Sequence, residues 1–284
     1  YRRIRTLSRL NKYDVIHGFF IVPAGLLVSA LSAKSIKIVS ALGSDVHTVS
    51  HKPFMGVLYR YIFNHTNGVM YNTPFMKKRL VQLGAQCLEY IPTPINRRIF
   101  RLSSVLPKTP TFVFVGRLTK AKGIEILLKA FTKVLITLPD AKLTIIGDGP
   151  EKNDIMKYIS DNNLHRSIQL TGTLSGVEIS SILRKSYGLL LPSFKEGTPA
   201  SVLEAMSVGR PVVATRVGGL KSLIDSDVGY LTDIGRVDQF TNAIVSVYKT
   251  NYSPSKIHNK TERFDSKIIA KQYFQYYQKI IKKN

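Results

Sequence analysis

Short apolar runs alternate with longer amphipathic ones along almost the whole chain, the pattern of α/β proteins built on parallel sheets. The short runs predict strands at Asp14–His17, Ile36–Leu42, Val69–Tyr71, Cys87–Ile91, Thr111–Gly116, Lys142–Gly147, Ser167–Thr171, Tyr187–Leu191 and Pro211–Ala214. The longer runs predict helices at Pro23–Ala33, Pro53–Asn64, Pro74–Gly84, Gly123–Leu138, Glu151–Asn163, Gly176–Lys185, Pro199–Val208, Asp238–Thr250 and Ser266–Lys283. Turns marked by Pro or Gly separate most of them. The pattern breaks at Ile91-Pro92-Thr93-Pro94-Ile95-Asn96-Arg97-Arg98, where two prolines and a basic stretch up to Pro110 read as an interdomain linker. The expected organisation is two doubly wound domains, an incomplete one over residues 1–103 and a complete one over 104–265, followed by a helical tail over 266–284. Ligands of such sheets bind at the carboxyl ends of the strands, so the cleft between the domains is the expected site.

The chain has 284 residues, 44% of them hydrophobic, enough for a real core in two domains. Its one cysteine, Cys87, excludes an internal disulfide framework and a cysteine-based zinc site, and fits a reducing, cytoplasmic compartment. Lys and Arg number 41 against 18 Asp and Glu, a net charge of +23 that favours anionic partners. Residues 1–103 hold 15 of those cations and 3 of the acids, so positive charge is denser in the first third. The longest apolar run, Gly18 to Ala33, is short for a membrane span and carries Pro23 and Gly25. The chain begins at Tyr1 without Met and opens on a helix-like basic segment rather than a strand, which reads as an N-terminal truncation.

The most informative stretch is Ser193-Phe194-Lys195-Glu196-Gly197-Thr198-Pro199-Ala200-Ser201-Val202-Leu203-Glu204-Ala205-Met206. It sets Glu196 on a Gly/Pro turn and Glu204 eight positions on, in the helix which that turn opens. Pro199 suits the first helical position, and the free amides of the first turn make an anion site. Phosphate-binding amides, a loop carboxylate and a helix carboxylate together suit a sugar joined to a diphosphate. The same residues also read as an exposed loop before a capped amphipathic helix, and alone they do not separate the two. Upstream, the strand Phe112–Val115 runs into Gly116-Arg117-Leu118-Thr119-Lys120-Ala121-Lys122-Gly123. Arg117 could grip a phosphate through two N–H groups and Lys122 adds a point charge, although a solvated basic turn has the same composition. In Gly147-Asp148-Gly149-Pro150, Asp148 lacks a second carboxylate at ligand spacing, so no metal is expected there.

Taken in order, Gly116-Arg117…Lys122-Gly123, Gly147-Asp148-Gly149-Pro150, Gly172, Pro192-Ser193…Glu196-Gly197…Glu204-Ala205-Met206…Gly209-Arg210-Pro211-Val212-Val213-Ala214-Thr215…Gly218-Gly219 closely resemble the family-4 retaining glycosyltransferases of the GT-B fold. The resemblance covers residues 111–231 in detail and the first hundred residues more loosely. It implies that Arg117 and Lys122 bind the donor diphosphate and that Glu204 hydrogen-bonds the nucleotide ribose. It implies that Glu196 contacts the transferred sugar where charge develops. Gly116, Gly172, Gly197, Thr198, Pro199 and Ala200 complete the implied donor site, with the nucleobase near Leu170–Thr173. Arg117, Lys122 and Glu196 are the implied catalytic residues. No metal and no cofactor are implied, since fixed cations and a helix N-terminus neutralise the leaving diphosphate.

In the first domain, Asp14-Val15-Ile16-His17-Gly18 with Pro23-Ala24-Gly25 resembles the family's D-V-I-H…P-x-G segment. Leu42-Gly43-Ser44-Asp45 resembles H-G-x-D, with leucine where many relatives place a histidine beside the transferred sugar. His17, Asp45 and His47 are therefore the acceptor-side candidates. The helical tail resembles the family's C-terminal helix, which returns to pack on the first domain. The expected activity is transfer of a hexose-type sugar, with retention, from a nucleotide diphosphate sugar to a glycan or lipid-linked acceptor. The charge excess also suits a peripheral protein on the anionic inner face of a membrane. A sugar-nucleotide-binding relative without transfer is the alternative, prompted by Leu42 and the missing start. Nucleic acid is not an expected partner, because the basic residues are dispersed and no recognised binding motif is present.

Overall fold

The computed structural model describes residues 2–10, 13–32, 34–47 and 54–283, leaving aside the side chains of residues 8–10, 44 and 47. The chain divides into two compact units, Tyr1–Thr93 with Lys267–Asn284, and Pro94–Ser266. The division falls before the expected boundary at residue 103. The reason is packing: Ile95 and Phe100 are buried in the core of the second unit.

In the first unit, helix α1 (Arg2–Leu10) precedes strand β1 (Val15–Phe19). The helix expected over 23–33 is a π turn at Ile21–Gly25 followed by a short α2 (Leu26–Ser29). Pro23 supplies no N–H to a regular helix there, and Val22 is extended. Strand β2 (Ile36–Ala41), α3 (Ser44–His47), α4 (Met55–Asn64), β3 (Gly68–Tyr71), α5 (Met76–Gln82) and β4 (Leu88–Tyr90) follow. The four strands form one parallel sheet in the order β1-β2-β3-β4.

Successive residues of a strand face opposite sides of its sheet, and here both sides are covered. Val39, Ala41, Val69 and Tyr71 enter one core with Tyr59, Ile62 and Leu80 from α4 and α5. Ile38 and Met70 point the other way, onto Ile269, Tyr276 and Ile280 of the last helix, α12 (Ser266–Lys283). The Tyr276 hydroxyl donates to the Cys87 carbonyl at 2.5 Å. The aromatic tail residue Tyr276 is thus core, and the tail closes the first unit's sheet.

The second unit holds β5 (Thr111–Val115), α6 (Ile124–Thr137), β6 (Lys142–Ile146), α7 (Lys152–Asp161), β7 (Ile168–Gly172), α8 (Gly176–Lys185), β8 (Gly188–Leu191), α9 (Ala200–Val208), β9 (Val212–Thr215), β10 (Gly229–Thr232), α10 (Val237–Lys249) and α11 (Pro254–Asn259). All six strands are parallel, in the order β10-β9-β8-β5-β6-β7. The chain winds outward one way from β5 through β6 to β7, then returns to β8 and winds the other way. The strand order therefore reverses between β5 and β8. A doubly wound sheet opens its ligand crevice at the carboxyl ends of the strands flanking such a reversal.

Candidate functional site

Most of the motifs singled out in the second unit follow carboxyl ends of its strands, whereas Gly209-Arg210-Pro211 leads into β9 at the opposite edge. Gly116-Arg117 follows β5, Gly147-Asp148-Gly149 follows β6, Gly172 ends β7, and Pro192-Ser193 follows β8. A parallel sheet puts those ends on one edge, so residues distant in sequence meet there. Two glycines let the loops close on one another. Gly123 has φ of 67°, and a Cβ on it would lie 2.0 Å from the Pro192 carbonyl oxygen. Gly147 has φ of 143°, and its Cβ would lie 1.9 Å from the carbonyl oxygen of Gly116. Gly147→Ala should cost about 3 kcal/mol or more, combining left-handed strain with a backbone clash. Urea denaturation checks this, and a midpoint equal to wild type would contradict the close approach.

The loop between β8 and α9 is fixed from several directions. The Phe194 amide donates to the Ala121 carbonyl at 2.9 Å, and the Gly219 amide donates to the Gly197 carbonyl at 3.0 Å. Thr215, at the end of β9, donates its hydroxyl to the Ser193 carbonyl. The Ser193 hydroxyl donates to Glu196 Oε1 at 2.6 Å, and Lys122 Nζ lies 2.6 Å from the same oxygen. The Glu196 side chain is only 7% exposed and that of Lys122 25% exposed. Oε1 is thus held on two sides, while Oε2 meets no protein group among the described residues and remains available to a hydroxyl.

Pro199 sits one position earlier than expected, as the N-cap of α9 with ψ of 127° rather than as its first helical residue. Its carbonyl takes the amides of Val202 and Leu203. The amides of Ala200 and Ser201 belong to the first turn, where no intrahelical acceptor exists. One turn in, Glu204 is mostly buried and receives no hydrogen bond from any described residue. Burial without a partner pushes its carboxyl pKa up to about 7. Arg117 is exposed, with no acidic partner among the described residues. Gly172 adopts φ of 78° with open space where a Cβ would stand.

The expected pieces Gly116, Arg117, Lys122, Gly172, Glu196, Gly197, Thr198, Pro199, Ala200 and Glu204 therefore share one edge. Ser193, Thr215 and Gly219 hold that edge together and were not among the expected site residues. The tandem Gly218-Gly219 after a strand was the available sign of a close backbone approach. Among the described residues no three His, Cys, Asp or Glu side chains come together to hold a metal ion.

The acceptor-side candidates lie in the first unit. Both ring nitrogens of His17 are engaged, Nδ1 with the Tyr277 hydroxyl and Nε2 with the Ser40 hydroxyl, each at 2.8 Å. Its ring stacks on Phe19, and burial lowers its pKa to about 4, so it is neutral at physiological pH. Asp45 is buried and accepts from the amides of Ile21, Leu42, Gly43 and Val46. These contacts give both residues a structural part in the β1–β2 edge. The side chain of His47 lies outside the described residues.

A doubly wound parallel sheet with anion-ready amides, two cations and two carboxylates at its switch point defines an α/β domain with a polar crevice at its carboxyl edge. Residues 96–264 match the family described as glycosyl transferases group 1, and residues 1–73 match the glycosyl transferase 4-like family. The chain belongs to the glycosyl transferases group 1 family. It is similar to the sulfoquinovosyl transferase SQD2 of Arabidopsis thaliana, at 33% identity over 61% of this chain and 35% of that protein. It is also similar to the N-acetyl-alpha-D-glucosaminyl L-malate synthase of Bacillus anthracis, at 23% identity over 99% of this chain and 78% of that enzyme. The chain thus spans about a third of the length of the first relative. Among solved structures, the pneumococcal O-GlcNAc transferase GtfA in complex with UDP and GlcNAc superposes with a TM-score of 0.82 at 19% identity, over 98% of this chain and 60% of that one. That likeness shows a GT-B fold.

Proposed function

We propose that the protein transfers a hexose-type sugar, with retention of configuration, from a nucleotide diphosphate sugar to a glycan or lipid-linked acceptor. The observation that supports this most is the Lys122–Glu196–Ser193 cluster beside the open first turn of α9. In this reading the α9 amides, Arg117 and Lys122 take the diphosphate. As the bond to the anomeric carbon stretches, negative charge grows on the leaving phosphate and positive charge on the sugar ring. Fixed cations and amides meet the first without having to reorganise. Glu196, turned by Lys122 and Ser193, offers Oε2 to the sugar, and Glu204 takes ribose hydroxyls. Solved relatives lend the donor class: GtfA is described with UDP and GlcNAc, and HepE of Anabaena with UDP-glucose.

The test is hydrolysis and transfer with a panel of nucleotide sugars, with the product anomer read by NMR. Turnover with a retained anomer is expected, undiminished by EDTA because side-chain cations do the neutralising. Loss in EDTA restored by Mg²⁺ or Mn²⁺ would contradict metal independence. Leu42 favours a second reading, a sugar-nucleotide-binding relative without transfer; binding of a donor without any turnover would select it.

The first unit adds a membrane proposal. On α1 the exposed cations Arg2, Arg3 and Arg5 stand beside Ile4 and Leu7, which are 36% and 43% exposed. Lys77 and Lys78 are exposed on α5, with Arg79 half-buried. Lys12 and the Arg9 side chain, the rest of the basic opening, lie outside the described residues. No described helix is long and apolar enough to cross a membrane, so attachment through these faces would be peripheral. Co-sedimentation with anionic but not zwitterionic vesicles is expected, weakening as salt rises. Charge reversal of Lys77, Lys78 and Arg79 should reduce it and leave donor affinity intact. Equal binding to neutral vesicles would overturn the electrostatic reading.

A further inference from the structure

A second cationic feature lies on the second unit, away from the strand edge that carries the cluster. Residues 98–103 run along α8 and enclose a groove of about 510 Å³ with it. Arg98, Arg101, Arg184 and Lys185 line it, with Ile99 and Val177 as its apolar part. The helix α8 starts at Gly176, just past the end of β7, and finishes at Lys185, just before β8 begins. Arg184 and Lys185 are therefore at the amino-terminal edge of the sheet, opposite the edge of Arg117 and Glu196.

The walls of the groove are fixed. Ser180 donates its hydroxyl to the Ile99 carbonyl at 2.7 Å, and Ser207 donates to the Phe100 carbonyl at 2.7 Å. Arg210 is completely buried beneath the groove. Its guanidinium donates to the Leu183 and Arg184 carbonyls at 3.1 and 2.7 Å, and to the Ser103 hydroxyl at 2.8 Å. One buried side chain thus fastens the segment 98–103 to the end of α8. Burial, and to a lesser degree the charge of Arg184, lower the Arg210 pKa to about 10.

None of the four lining cations has an acidic partner among the described residues. The one acid on α8, Glu178, is turned back onto Ser175 in a capping box at the far end of the helix. Four like charges held in one groove repel each other, and an anion relieves that. A single phosphate group, carrying about −1.5 to −2, would offset only about half of them. Guanidinium groups grip phosphate oxygens through paired N–H donors, and the volume suits a small molecule.

We propose that this groove is a second anion site, separate from the donor edge, which takes a compact ligand carrying two or more phosphate groups. Its test is calorimetric titration of the full chain with inorganic tripolyphosphate. Two classes of site are expected. Arg101→Gln with Arg184→Gln should remove one class, weakening it at least tenfold, with melting temperature and nucleotide diphosphate binding unchanged. Arg117→Ala with Lys122→Ala should remove the other class and spare this one. A single class abolished by the Arg117/Lys122 pair would overturn the proposal and leave the donor reading standing. Two classes both indifferent to Arg101 and Arg184 would overturn it equally. Vesicles with and without a bisphosphorylated inositol lipid distinguish the source. Vesicle binding competed by tripolyphosphate and lost in the Arg101/Arg184 variant assigns the phosphates to a lipid headgroup, and tripolyphosphate binding without it assigns a soluble ligand.

Discussion

Glu204→Gln is expected to raise the melting temperature of the ligand-free chain at pH 8, leave it nearly unchanged at pH 4, and weaken donor binding about tenfold. The cause is the burial of a carboxyl on α9 that has no partner among the described residues. Its pKa stands at about 7 in the folded chain against 4.5 for the free group. Between those values the folded state binds a proton that the unfolded state does not, so stability falls as pH rises. Below pH 4.5 both states are protonated and there is no penalty. Above pH 7 both are ionised and the full penalty applies, on the order of 3 kcal/mol. Glutamine keeps the shape and removes the charge, so the gain appears only where the wild type is ionised. The ligand reverses the preference, because ribose hydroxyls donate to the ionised form. Wild-type affinity should therefore rise with pH up to about 7, and the variant should lose both this slope and the difference between a charge-assisted bond, worth about 1.5–3 kcal/mol, and a neutral one, about 0.5–1.5 kcal/mol, which is a factor of about ten. Scanning fluorimetry from pH 4 to 8 and calorimetry with the nucleotide diphosphate read the two effects. A melting-temperature gain independent of pH would sink the burial argument, and unchanged affinity would sink the ribose assignment.

The same physics decides what a sequence can reveal. Strands such as β5 and β6 are buried on both faces, so Phe112-Val113-Phe114-Val115 and Leu143-Thr144-Ile145-Ile146 stand out as apolar runs, and the parallel α/β fold was legible from them. Strand β10 was not, because Gly229–Thr232 is only four residues long and lies at the sheet's edge with Tyr230 exposed and Leu231 half-buried, so it shows no apolar run. Helix α11 is six residues long and mostly polar, too short to show a period. The compact units divide at Thr93/Pro94 rather than at residue 103 because Ile95 and Phe100 enter the second core, and these two residues stand singly in a stretch that prolines and arginines mark as a linker. At the site, residue types and spacing pointed to Lys122, Glu196 and Glu204. They did not reveal that Ser193 and Lys122 share one oxygen of Glu196, since hydrogen bonds across loops leave no period. Nor could they separate ligand contact from capping: Asp45 and His17 have the types a ligand would use, yet backbone amides and the Ser40 and Tyr277 hydroxyls occupy them.

Lys122→Ala and Arg117→Ala are expected to cut turnover by tenfold or more each, but only the first should destabilise the chain. Either loss removes a cation from the side on which the leaving diphosphate gathers charge, and each 1.36 kcal/mol withdrawn from the transition state costs a factor of ten. Lys122 also partners Glu196, whose side chain is almost wholly enclosed, at 2.6 Å. Removing it leaves a buried carboxylate with the Ser193 hydroxyl alone. Fully buried pairs lose about 3–5 kcal/mol on such a cut, and the partial exposure of Lys122 lowers the expected loss to about 1–3 kcal/mol. Arg117 is exposed and pairs with no acid among the described residues, so its removal should leave the melting temperature within a degree or so of wild type. The double variant Lys122→Ala/Glu196→Gln separates the two parts of Lys122: with no charge left to strand, stability should return, while turnover should not. Urea denaturation and steady-state kinetics with a competent donor measure both. Wild-type turnover in the Arg117/Lys122 double variant would remove the charge-neutralising role, and equal destabilisation by both single variants would remove the structural distinction between an ion-paired lysine and a free arginine at the same strand edge.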